Sequence, residues 1–75
     1  MVHLATPRQS EYFSCQRLAA SIVLCGYYFK IVEADSRYVV LHYKGADLYY
    51  YVADSLPNAL AHLPKLSEIF KRFSY

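Results

Sequence analysis

Three short runs of β-branched and aromatic residues, Tyr27 to Glu33, Tyr38 to Lys44 and Leu48 to Ala53, follow one another with almost nothing between them. Such runs favour strands. Asp35-Ser36 separates the first pair and Lys44-Gly45-Ala46-Asp47 the second, residue types that suit tight turns. Connections this short join antiparallel neighbours, so a three-stranded β-meander is predicted. Alternation puts Leu48, Tyr50 and Val52 on one face of the last strand and Tyr49, Tyr51 and Ala53 on the other. Both faces are therefore apolar. One helix covers only one of them, and the second needs the C-terminal segment or another chain.

Helices are predicted on either side. Thr6-Pro7-Arg8-Gln9 reads as a helix start, with Thr6 as N-cap, Pro7 at the first helical position and Gln9 completing a capping box. Cys15, Leu18, Ala19, Ile22 and Cys25 recur at helical spacing, and Gly26 is suited to a left-handed cap, so the first helix is expected from Pro7 to Cys25. After the meander, Asp54-Ser55 opens a short helix with Leu56, Leu60 and Leu63 in register, which Pro64 interrupts. Leu66, Ile69, Phe70 and Phe73, with Lys65, Glu68, Lys71 and Arg72 opposite, then predict a second short amphipathic helix. The fold class expected is α+β, ordered α-β-β-β-α-α, in one domain spanning 1–75. Leu18, Ile22, Val40, Leu60, Ile69 and Phe70 are the expected core.

Length and composition narrow the function classes. A 75-residue chain has room for one core, and its small size makes self-association a real option. The net charge of +2 is too weak to argue for nucleic acid by itself. Nine tyrosines cannot all be buried, so some face water or a partner. The longest apolar stretch, Leu18 to Phe29, is 12 residues, short of the roughly 20 a membrane helix needs, so no membrane association is expected. The start of the chain lacks the pattern of a secretory signal, and a cytoplasmic location is expected. Cys15 and Cys25, read as lying on one helix about 15 Å apart, are expected as core thiols rather than a disulfide. No Cys or His stands near them at zinc spacing, so neither a metal nor a cofactor is expected.

Catalytic signatures are weak throughout. With only Gly26 and Gly45 there is no glycine-rich phosphate loop. His3, His42 and His62 are scattered, and His42 is expected on a polar sheet face. Ser10, Ser14 and Ser21 lack a local base and read as helix-surface serines. The element order also fits a double-stranded RNA-binding domain, but Asp54 stands where that family's second helix needs lysines.

A more specific pattern is Gly26-Tyr27, then Asp35-Ser36-Arg37-Tyr38, a hydrophobic strand, Gly45 and Leu48-Tyr49. From Thr6 to Ser55 the chain resembles a small group of PD-(D/E)XK nuclease-like proteins that includes the cyanobacterial intron-encoded homing endonuclease. The resemblance implies a metal-dependent nuclease scaffold whose chemistry is missing. Val39 stands where that family has its metal-binding Asp, Val52 where it has Gln and Asp54 where it has Lys. Valine offers no oxygen to Mg²⁺, so a pseudo-nuclease without activity is implied, unless Glu33, Asp35 and Asp54 form a migrated site.

The leading functional expectation is a non-catalytic protein-interaction module binding a host protein. A phage or mobile-element inhibitor of a nucleic-acid-targeting defence system, of the anti-CRISPR or anti-restriction type, is the kind envisaged. The alternatives are a nucleic-acid-binding remnant and a homodimeric structural protein. Arg37, Tyr38, Tyr49, Tyr51, Tyr43 and Lys44 are the candidate binding residues, because Arg37 and Tyr38 keep the family's motif and tyrosine is enriched at interface hot spots.

Overall fold

A computed structural model describes residues 2–73, with the side chain of Phe73, expected on the last apolar stripe, outside that description. The elements are β1 (His3–Leu4), α1 (Pro7–Ser14), β2 (Arg17–Leu24), β3 (Tyr27–Ala34), β4 (Arg37–Lys44), β5 (Asp47–Ala53) and α2 (Leu56–Phe73). One antiparallel sheet of five strands, ordered β1-β5-β4-β3-β2, carries α1 on one face and α2 on the other. The expected order is corrected in three places: a short strand, β1, precedes the first helix, that helix is short and followed by a second extra strand, β2, and the C-terminal helix is single, so the sheet has five strands and not three.

The start of α1 is as expected. Thr6 Oγ1 accepts the Gln9 N–H at 3.1 Å, and Gln9 Oε1 accepts the Thr6 N–H at 2.9 Å. The helix stops at Ser14 rather than Cys25 because polar side chains occupy its last carbonyls. Ser14 Oγ donates to the Glu11 carbonyl at 2.8 Å and Gln16 Nε2 to that of Tyr12 at 3.0 Å. Such local bonds compete with the helical ladder. The apolar residues read as a helical stripe also fit a strand: Ala20, Ile22 and Leu24 are half-buried, while Ser21 and Val23 are exposed. A bulge between Leu18 and Ala20 sets this phase, and it leaves Leu18 exposed rather than in the core.

The turns explain why the strand wins. Leu24 pairs with Tyr27 across Cys25-Gly26, whose φ values of 55° and 81° are those of a type I′ turn. Asp35 and Ser36, at 51° and 63°, form the same turn between β3 and β4. Gly45, at 61°, begins the third, where φ returns to negative at Ala46 as in a type II′ turn. Turns of this hand match the right-handed strand twist, so the chain folds back every ten residues. Cys25 thus lies in a turn and Cys15 at the end of α1; both are free and exposed, not core thiols.

Helix α2 begins at Ser55, whose Oγ accepts the Asn58 N–H at 3.2 Å. Its buried stripe is Ala59, Leu63, Leu66 and Phe70, which keeps helical spacing straight across Pro64. Pro64 faces solvent, so its ring breaks one hydrogen bond while the packing on the other side continues. That stripe meets Phe29, Ile31, Val40 and Ala53 in one core cluster. Leu60 lies outside it and is exposed, and Ile22 and Ile69 pack at its margin. On the other face Phe13 packs with Val32, Ala34, Val39, Leu41 and Leu48. His42 is buried on the α2 side, not on a polar face, with Phe70 4.4 Å and Phe29 5.4 Å away between ring centroids. Its Nδ1 lies 3.1 Å from the Tyr28 carbonyl, which can only accept, so Nδ1 carries the proton.

Candidate interaction surface

Helix length decides which face of the sheet is covered. The 18 residues of α2 span about 27 Å, the length of an eight-residue strand, whereas the 8 residues of α1 span about 12 Å. Phe13 is the only buried residue of α1. Its ring lies 5.0 Å from that of Tyr50, and Gln9 Nε2 donates to the Tyr50 hydroxyl at 3.2 Å. Beyond the cluster buried around Phe13, that face opens on both sides of the helix.

Toward the β3–β4 turn the opening is a cleft of ≈ 410 Å³ floored by Ala34, Val39 and Val52 and rimmed by Tyr12, Asp35 and Arg37. The Tyr12 hydroxyl donates to Asp35 Oδ2 at 3.0 Å. That hydrogen bond, helped by desolvation and by the adjacent negative charge, raises the Tyr12 pKa above its ordinary 10.0. The Arg37 side chain is exposed and makes no hydrogen bond or ion pair among the described residues. The two valines at the resemblance's metal and Gln positions are direct cross-strand partners in this floor, Val39 opposite Val52.

Toward β2 the opening is lined by Phe13, Leu18, Lys30, Leu41 and Tyr43. Val23 lies opposite Tyr28 and Ser21 opposite Lys30, and the Lys30 ammonium sits 5.9 Å from the centroid of the Tyr43 ring. The apolar surface here is extensive: Leu18 is 53% exposed, Val23 70%, Tyr28 46% and Tyr43 46%. The Lys30 ammonium thus lies among tyrosine and aliphatic side chains on this face.

The six sequence-predicted binding residues are divided by the sheet. Arg37 and Tyr43 lie on the α1 face at opposite ends of β4. Tyr38 lies on the other face, half-buried, its hydroxyl 3.5 Å from the Glu33 carboxylate. Tyr49 and Tyr51 are half-buried beneath α2, against Phe70 at 5.6 Å and His62 at 4.8 Å. Lys44 is exposed beside the β4–β5 turn, paired in register with Asp47. Val23 is not among the residues the sequence points to, because its position follows only once Cys25-Gly26 is read as a hairpin turn, whereas Tyr28 and Lys30 lie on the predicted strand from Tyr27 to Glu33. Among the described residues, no group of three His, Cys, Asp or Glu side chains gathers to hold a metal. Glu33, Asp35 and Asp54 thus do not assemble a migrated metal site. No helix among the described residues is long and apolar enough to cross a membrane. The chain matches no protein-family model, no curated protein and no solved structure.

Proposed function

We propose that this chain is a non-catalytic protein-interaction module that binds its partner through the α1 face of the sheet. The observation that supports this is the unequal covering of two apolar faces: α2 seals one, while α1 leaves Leu18, Val23, Tyr28 and Tyr43 in water. Contiguous exposed apolar surface on a small domain costs solubility and commonly marks a binding site. Rigid strand tyrosines suit that role, because they bring large contact area with little entropy to lose. Phosphate binding is less favoured, since the basic residues are spread: Lys30 and Arg37 lie on the α1 face, while Lys65, Lys71 and Arg72 belong to α2.

The test is capture of partners from source-cell lysate by the wild-type chain, by Tyr28→Ser/Tyr43→Ser and by Glu68→Ala on exposed α2 surface. The tyrosine variant is expected to keep its circular dichroism spectrum and to lose roughly tenfold or more of the captured protein. Glu68→Ala is expected to capture as the wild type does. Equal capture by all three chains refutes the assignment of the face, and capture that nuclease treatment abolishes refutes the protein partner.

A further inference from the structure

The two edges of the sheet are built differently. At one edge β5 is covered by β1, only two residues long and continued by the Ala5 N–H, which donates to the Leu48 carbonyl at 2.8 Å. At the other edge β2 runs for eight residues with no neighbouring strand on its outer side among the described residues. In a two-residue hairpin the pair flanking the turn exchanges both hydrogen bonds, so Leu24 and Ile22 turn their N–H and C=O toward β3. Ser21 and Val23 turn theirs outward. Proteins usually blunt such an edge with lysine, proline or an inward charge. From Leu18 to Phe29 this chain has no charged residue and no proline.

We infer that two copies of the chain pair antiparallel along Ala20–Leu24 of β2, joining their sheets into one. A second copy suits this edge because the segment is self-complementary. With Ile22 opposite its own counterpart, Ser21 faces Val23 of the other copy twice, and the outward N–H and C=O groups of both residues bond reciprocally. No like charges meet across the seam: the nearest charge on β2, Arg17, lies beyond the paired segment and beyond the bulge that ends its regular register, and Lys30, opposite Ser21, lies one strand in from the edge. Both sides of the seam are apolar. Ile22 and Leu24, half-buried against the α2-side core, gain cover on one side. Val23 and Tyr28 gain it on the other, where the two α1-face patches become one continuous strip. Pairing limited to five residues makes a small interface, so a reversible, concentration-dependent dimer is expected. This inference goes beyond the proposed interaction face and stands without it.

Sedimentation equilibrium of the full chain, from micromolar to millimolar concentration, reads the mass, and amide hydrogen exchange reads the seam. The wild type is expected to approach twice its 8.7 kDa mass as concentration rises, with the Ser21 and Val23 amides becoming protected in step. Val23→Pro removes one outward N–H, and Val23→Lys changes only an exposed side chain; both are expected to sediment as monomers throughout. Val23→Lys serves as the test if the proline variant does not fold. A wild type at monomer mass over the whole range overturns the inference. So does an oligomer that leaves the Ser21 and Val23 amides exchanging freely, or that persists unchanged in Val23→Lys.

Discussion

Tyr12 and Asp35 are 23 residues apart in sequence, and their hydrogen bond ties α1 to the β3–β4 turn. Its pH dependence has a definite sign. An ionised Tyr12 has no proton to donate and repels the Asp35 carboxylate, so the folded chain holds Tyr12 neutral and its pKa lies above 10.0. The stability this contributes is fully present below the unfolded-state value and is lost as pH rises through the higher folded value. In urea unfolding at a series of pH values, the wild type should therefore exceed Tyr12→Phe at neutral pH, with the gap closing above about pH 10. A gap that stays constant through that range would show that the stability the hydroxyl contributes does not depend on its ionisation, and no gap at neutral pH would show that it contributes nothing. Residue chemistry of this kind was partly legible in advance. The Thr6–Gln9 capping box needs only neighbours in sequence, whereas the Tyr12–Asp35 pair and the Nδ1–H tautomer of His42 depend on strands meeting.

Among the elements, β2 and α2 are where local preference and packing disagreed. The segment from Leu18 to Cys25 satisfies helical and strand spacing at once. The outcome turned on the Cys25-Gly26 hairpin, which lets β2 pair with β3 along its length. In α2 the disagreement is Pro64, a residue that ends most helices but is accommodated here because the apolar stripe on either side faces the same sheet. Pro64→Ala restores a backbone N–H at an exposed position and should stabilise the protein by up to about 3 kcal/mol, read as a higher urea midpoint with unchanged slope. A lower midpoint would mean that the proline sets a bend on which the Leu63 and Leu66 packing depends.

At the scale of the whole molecule, stability rests on one sheet shared by two cores of unequal cover. Phe29, fully buried at the centre of the α2-side core, is the most sensitive position. Phe29→Ala should cost about 3–5 kcal/mol, comparable with the entire stability of a domain this small, so a collapsed thermal transition is expected. A variant that melts within a few degrees of the wild type would place the dominant core on the α1 side instead. The division of β5 into a Leu48, Tyr50, Val52 face and a Tyr49, Tyr51, Ala53 face, and the need for cover on both sides, were readable from the chain alone. Strand alternation is a local property of the backbone, and so are caps and two-residue turns. Which tyrosines meet water was not readable, because that depends on how far each helix reaches across the sheet. Tyr49 and Tyr51 are covered by an 18-residue helix, while Tyr28 and Tyr43 lie beyond the end of an 8-residue one. Burial is a property of what lies above a residue, and only tertiary packing sets that.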